Sequence, residues 1–152
     1  MIPALLALLA AGLAFLVLPR LFLARAQDRL AKEKIARDGE GLKLMTRADL
    51  AAGRYRRVPG VLGLTDGGIA FEGLFGESVT VPAPAIGKIE TGRRLSTGRL
   101  LLSREVLRVT RTGGECAEFI LTPASAYAWR SHLGLWAVRE RQADADRVVP
   151  GR

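Results

Sequence analysis

Histidine and cysteine are almost missing from the 152-residue chain, which has one of each, His132 and Cys116. A single cysteine excludes an intrachain disulfide and is compatible with a reducing compartment. The two residues together are too few to build a zinc site. A Cys116–His132 nucleophile pair stays open on composition, but no motif orients it. Because a phosphate-binding glycine loop and paired carboxylates are also missing, we expect no enzyme, no metal and no cofactor.

Aromatic residues are also scarce, at 6% of the chain, and they do not alternate with the basic residues. Base-stacking surfaces need aromatic side chains among the basic ones, so we expect no nucleic-acid partner. Half of the net charge of +8 lies in residues 20–37, which hold six basic and two acidic side chains. Basic charge beside an apolar segment favours contact with a membrane surface over binding of nucleic acid.

A long apolar run is what the chain does have. Ile2–Leu18 contains no charged residue, and Leu21–Ala24 extend the run beyond Pro19 and Arg20. A helix needs roughly 20 apolar residues to cross a bilayer, so we expect a single transmembrane helix over residues 1–24. A cleavable signal peptide and a buried helix of a soluble protein are the alternatives. The length of the run and the absence of basic residues before it argue against cleavage.

Basic residues after the run predict its orientation, because positive charge is retained in the cytoplasm. We expect a plasma (inner) membrane protein with its N-terminus outside and its C-terminal domain in the cytoplasm. Residues 25–41 then form a charged juxtamembrane helical neck, either a solvated stalk or a segment that holds anionic headgroups. The orienting residues are Arg20, Arg25, Arg29, Lys32, Lys34 and Arg37.

Short strands separated by turns dominate residues 42–138, which predicts one α+β, mainly β domain. Asp66-Gly67-Gly68 and Thr112-Gly113-Gly114-Glu115 are typical of hairpin turns. A helix capped by Thr122 follows, with Ala126, Trp129, Leu133, Trp136 and Ala137 on one face, and should close one end of a sandwich or barrel. Residues 139–152 are predicted to be a polar, disordered tail. The candidate strands are Arg54–Val58, Val61–Thr65, Gly68–Glu72, Ser78–Val81, Lys88–Gly92, Leu100–Ser103, Val106–Thr112 and Ala117–Leu121.

Three segments in this order are similar to those of bacterial pleckstrin-homology-like (PH-like) and GRAM-like domains. They are the hairpin pattern from Gly60 to Phe71, the Val79–Pro82 segment with Ile86 and Ile89, and Glu118–Leu121 followed by the Trp129 helix. The resemblance covers residues 54–137. It implies about seven strands closed by a C-terminal helix, and a binding or scaffolding role without catalysis. With the N-terminal helix, the chain resembles small single-pass actinobacterial membrane proteins.

Two groups of basic residues are the candidate binding sites for lipid or a partner, with solvated strand ends and loops as the simpler interpretation. We expect a non-enzymatic, membrane-anchored PH-like adaptor that binds a protein partner or scaffolds a membrane complex. The alternatives are a module that binds anionic lipid headgroups and an accessory subunit of a transport or export system; self-association into a homo-oligomer stays open. The candidate residues are Arg54, Arg56, Arg57, Lys88, Arg93, Arg94 and Arg99.

Overall fold

The computed structural model describes residues 2–134, and within the first helix it describes the side chains of residues 12, 13 and those from 15 onward. Trp136, Ala137 and the predicted tail lie outside the described residues. Residues 2–134 contain two helices and seven strands, and short 3-10 turns at Gly39–Gly41 and Ala83–Ala85 connect some of them. The elements are α1 (Ile2–Asp38), β1 (Leu42–Ala52), β2 (Arg56–Thr65), β3 (Gly68–Gly73), β4 (Ser78–Pro82), β5 (Ile86–Gly92), β6 (Glu105–Arg111), β7 (Cys116–Leu121) and α2 (residues 123–134).

All seven strands form one antiparallel sheet in the order β4-β3-β2-β1-β7-β6-β5. Strands β1 to β4 are joined as neighbouring hairpins, and β5 to β7 form a second meander. The two halves meet where β1 pairs with β7, through Asp49 opposite Ile120 and Leu50 opposite Phe119. The predicted hairpin turns at Asp66–Gly68 and Thr112–Glu115 are confirmed as the β2–β3 and β6–β7 connections.

The transmembrane helix predicted over residues 1–24 is wrong. No helix within the described residues is both long and apolar enough to cross a bilayer. Pro19 and Arg20 interrupt the apolar run, and the part of the helix that follows packs against β1 and β2. The predicted fold class is therefore wrong in its N-terminal transmembrane helix. The predicted location, a single-pass plasma-membrane protein with its N-terminus outside, is wrong for the same reason.

The second half of α1 packs against the sheet instead of standing away from it as a stalk. Ala24, Gln27, Ala31 and Lys34 recur at spacings of three and four residues, so they share one helical face. Gln27 is buried on this face, and its Nε2 donates a hydrogen bond to the carbonyl oxygen of Gly60 at 3.0 Å. Small alanines on the same face let the helix lie close to β1 and β2.

Strand β1 was missed by the sequence analysis, two predicted strands are parts of a single strand, and a third lies in a loop. The predicted strands around Pro59 are one continuous strand, β2, in which Gly60 has no room for a side chain because a Cβ would overlap the backbone of β3. The predicted strand Leu100–Ser103 belongs to the loop between β5 and β6, apart from an isolated bridge between Arg94 and Leu100.

The core lies on the inner face of the curved sheet, and α2 covers it. Trp129 is fully buried, and its indole Nε1 donates a hydrogen bond to Thr46 Oγ1 at 2.7 Å. Thr122 is confirmed as the N-cap of α2, because its Oγ1 accepts a hydrogen bond from the Ser125 amide at 3.2 Å. The side chains buried in this core include Leu62, Leu64, Ile69, Phe71, Leu107, Phe119 and Ala126.

Candidate binding cleft

A cleft of about 560 Å³ lies on the outer face of the sheet, between α1 and the loop that joins β5 to β6. Helix α1 forms one wall, residues of β1 and β2 form the floor, and the end of the loop forms the second wall with the N-cap of α2. We call it the arginine cleft. It is lined by Arg20, Leu23, Ala24, Gln27, Arg47, Ala48, Asp49, Pro59, Ser103, Arg104 and Thr122.

Strand alternation places the charged residues of β1 on the floor of the cleft. Successive side chains of a strand point to opposite faces, so Thr46 and Ala48 face the core while Arg47 and Asp49 face outward. The Nε of Arg47 donates a hydrogen bond to Asp28 Oδ1 of α1 at 2.7 Å. The Arg47 guanidinium is thus engaged in holding the helix to the strand.

Arg20 and Arg104 are the other two guanidinium groups of the cleft, one on each wall. Both side chains are exposed, and neither forms an ion pair with a residue whose side chain the structure describes. An arginine that is not paired keeps its planar set of five N–H donors for a ligand. These two residues therefore supply the positive charge that the cleft offers to solvent.

Asp49 is half-buried at the floor of the cleft. Burial raises the pKa of its carboxyl group above the usual range, and the nearby charges of Arg104 and Arg57 oppose this effect. The carboxylate is the only acidic group among the residues that line the cleft. The lining as a whole therefore keeps a positive balance.

A buried carboxylate fixes the loop that forms the second wall. Glu118 of β7 is 7% exposed and accepts hydrogen bonds from the Ser96 amide at 2.8 Å and from Ser96 Oγ at 2.9 Å. The Nε of Arg108 donates to the same carboxylate at 2.9 Å, and this contact raises the pKa of Arg108. Leu95 and Leu101 of the loop are buried against the outer face of the sheet. The loop is thus held in place by both polar and apolar contacts.

The first predicted basic group lies at the turn between β1 and β2, and its members make separate contacts. Arg56 forms an ion pair with Glu77, while the Arg54 guanidinium lies 5.5 Å from the ring centroid of Tyr55. Because β2 begins at Arg56, Arg54 lies in the turn and does not share a strand face with it. Arg57 is exposed, and its charge acts on the carboxyl group of Asp49.

The second predicted basic group is divided by β5. Lys88 lies near the start of the strand and pairs with Glu90 at 2.8 Å, which lowers the pKa of Glu90. The other three members lie in the loop after the strand, where their backbone carbonyls accept hydrogen bonds that shape the loop; they are Arg93, Arg94 and Arg99. The structure therefore does not join the two predicted groups into one site, and none of their members lines the arginine cleft.

The residues predicted to orient a membrane span have different contacts along α1. Arg20 lines the arginine cleft, while Arg25 and Arg29 line a groove of about 380 Å³ on the other side of the helix. Lys34 is buried and its Nζ lies 3.1 Å from Asp38 Oδ2. Arg37 pairs with Glu72 of β3 at 2.7 Å, which raises the pKa of Arg37. Lys32 is exposed.

Gln27, Asp49, Arg104 and Glu118 are residues of this region that the sequence analysis missed. Gln27 and Arg104 come together only because α1 and the loop fold over the same face of the sheet. The alternation of Arg47 and Asp49 with Thr46 and Ala48 was a readable signal for an outward face, but it depended on recognising β1.

An exposed apolar segment of α1 adjoins the arginine cleft. Phe15 is 80% exposed and Phe22 is 72% exposed, although both are large apolar side chains. After this segment, Leu23 and Ala24 are the first residues of α1 whose apolar side chains are partly covered. Both line the arginine cleft. We call the segment the apolar arm; its residues are Leu13, Phe15, Leu16, Val17, Leu18, Leu21 and Phe22.

Comparison with known proteins gives a likeness of fold. No family model and no curated protein matches the chain. The crystal structure of the C-terminal domain of an unknown protein from Leishmania infantum is similar, with a TM-score of 0.54 and 10% sequence identity. The likeness covers 72% of this chain and 97% of that chain. It does not bear on the predicted PH-like family or on function, because a shared fold does not fix an activity.

Proposed function

We propose that this protein is a non-enzymatic interaction module, built on a PH-like frame, that binds a protein partner through the apolar arm. The observation that carries the proposal is the exposure of the arm. Seven large apolar side chains in ten residues are 40% to 80% exposed. Exposed apolar surface on this scale is typical of an interaction site.

The energetic argument follows from the size of these side chains. Covering one exposed leucine or phenylalanine side chain stabilises a complex by about 1.5–3 kcal/mol. A helix that presents such residues is recognised by a groove on a partner protein, a recurring mode of peptide recognition. The sheet and the cleft-facing half of α1 anchor the C-terminal end of the arm to the rest of the domain.

The lipid-headgroup alternative has less support from the predicted basic residues. Arg56 is neutralised by Glu77 and Lys88 by Glu90, so two of the seven candidates are already paired. The other five are divided between two places: Arg54 and Arg57 lie at the β1–β2 turn and the start of β2, and Arg93, Arg94 and Arg99 lie in the loop between β5 and β6. A protein partner at the arm is therefore the function that we favour.

Photocrosslinking in living cells tests the proposal. A photoreactive amino acid replaces Phe15 on the arm, and the matched control carries it at Tyr127 of α2, which is 68% exposed. We expect defined protein adducts from position 15 and none of the same mass from position 127. Mass spectrometry of the adducts then separates a second copy of this chain from a different protein.

Two variants distinguish a specific contact of the arm from nonspecific hydrophobic association. The double change Phe15→Gln and Leu18→Gln should abolish the adducts from a photoreactive residue at position 22. Leu102→Gln, at a loop residue that is 87% exposed, should leave them unchanged. Adducts that persist in the arm variant, or adducts with lipid and no protein, would contradict the proposal.

A further inference from the structure

The arginine cleft has the dimensions and the mixed lining of a small-molecule site. Its volume of about 560 Å³ lies within the range of roughly 300–1,000 Å³ that is usual for ligand pockets. Leu23, Ala24 and Pro59 give it an apolar portion, while Gln27 and Ser103 add polar groups. A ligand with one charged end and one organic end matches this lining.

The positive charge of the cleft indicates that the charged end of the ligand is an anion. Arg47 is held by Asp28, which leaves Arg20 and Arg104 on opposite walls for a ligand. Thr122 lines the cleft as the N-cap of α2, so the positive end of this helix dipole adds to their field. Two guanidinium groups and a helix N-terminus together favour an anion that carries more than one negative charge.

We propose that the arginine cleft binds a small phosphate ester, with the phosphate between Arg20 and Arg104 and the organic group against Leu23, Ala24 and Pro59. A phosphate ester carries between one and two negative charges at neutral pH and offers three acceptor oxygens, which suits guanidinium groups from two directions. Bare inorganic phosphate would leave most of the cleft unfilled. The site uses none of the apolar side chains of the arm, although Arg20 lies between Leu18 and Leu21, so the proposal does not depend on a protein partner.

The Gln27 side chain supplies a local probe of binding. The chain has two glutamines, Gln27 and Gln142, and no asparagine, so a proton–nitrogen NMR spectrum contains two side-chain amide pairs. Gln27 is held by Gly60 inside the cleft. Titration of the full chain with phenyl phosphate should shift the Gln27 amide signals to saturation. Inorganic phosphate should shift them with weaker affinity, and sodium chloride at matched ionic strength should not.

Substitutions at the loop assign the effect to the proposed arginine. Arg104→Gln should raise the dissociation constant for phenyl phosphate about tenfold or more, as expected for the loss of a charge-assisted hydrogen bond. Arg99→Gln removes the same charge from the same loop outside the cleft and should leave the constant unchanged. Asp49→Asn removes the like charge beneath the phosphate and should lower the constant severalfold.

Two further titrations distinguish the source of the phosphate. A response to glycerol phosphate but not to phosphatidylcholine vesicles containing phosphatidic acid supports a free metabolite. A response to the vesicles, again lost in Arg104→Gln, supports the phosphate of a lipid headgroup. A Gln27 signal that does not move with any of these probes, or that moves equally in Arg104→Gln, would overturn the proposal.

Discussion

At the scale of single residues, the most informative group is the carboxyl of Asp49, because burial dominates its energetics. Two arginines oppose the rise of its pKa, yet the pKa stays above the ordinary value. The folded protein therefore binds a proton here more readily than the unfolded chain does. The pKa of Asp49 is lower in the unfolded chain than in the folded protein, and between these two values the free energy of unfolding falls as the pH rises. Above the pKa of the folded state, the full cost of burying the ionised carboxylate is present.

Asp49→Asn should stabilise the protein at pH 7, since the amide carries no charge to desolvate. The gain should shrink as the pH falls toward about 4, where the carboxyl of Asp49 is protonated in the unfolded chain as well. Urea unfolding followed by tryptophan fluorescence between pH 4 and 8 measures this difference. Glu40→Gln, the same chemical change at an exposed residue, is the control. If Asp49→Asn is less stable than the unchanged protein at pH 7, the conclusion that burial of this charge destabilises the folded state is wrong.

At the scale of elements, the loop between β5 and β6 owes its position to one buried carboxylate. Glu118 receives hydrogen bonds from Ser96 and Arg108, and the loop also buries Leu95 and Leu101. Hydrogen bonds to a charged group contribute about 1.5–3 kcal/mol each. Removing the carboxylate leaves several donors without an acceptor, so the loop should open more often while the sheet stays folded.

Glu118→Ala should therefore raise the rate of trypsin cleavage within the loop about tenfold or more, because each 1.4 kcal/mol changes the open population about tenfold. The cleavage sites are the exposed arginines at positions 93, 94 and 99. Peptide mapping by mass spectrometry gives the rates. Glu115→Gln, at an exposed acid of the neighbouring turn, should leave them unchanged. Equal cleavage of both variants would show that Leu95 and Leu101 alone hold the loop.

At the scale of the whole molecule, α1 is one continuous helix with two different environments. Its second half is fixed to the sheet by the hydrogen bond from Gln27 to Gly60 and by the ion pairs of Lys34 and Arg37 with Glu72. The apolar arm extends beyond these contacts. Helical segments without tertiary contacts are only marginally stable in water, so the two halves should differ in stability.

Hydrogen exchange of the isolated protein should divide α1 near residue 23. The amides of residues 15–22 should exchange at least about a hundredfold faster than those of residues 27–34, because only the latter lie on the sheet. Mass spectrometry with fragmentation inside the helix resolves the two halves. Similar protection along both halves would show that the arm is already covered, and would thereby identify self-association.

The sequence predicted those features that depend on local chemistry. Glycine pairs identified two hairpin turns, and Thr122 with the 3,4 spacing around Trp129 identified α2. The β1 strand was missed because its outward residues are charged and its inward residues include small alanines, which weakens the alternation. The arginine cleft was missed because its walls come from distant parts of the chain. The predicted membrane span followed from hydropathy alone and did not anticipate that the same helix packs on a sheet.

The pairing of β1 with β7 has a consequence for synthesis of the chain on the ribosome. The hairpins from β1 to β4 can form as soon as residue 82 has emerged, whereas the free edge of β1 must wait for β7. During that delay the edge presents unpaired backbone donors and acceptors to any neighbouring nascent chain. A strand equivalent to β7 from a second polypeptide would fit the same edge, so domain-swapped dimers are the expected misfolded product of rapid overexpression.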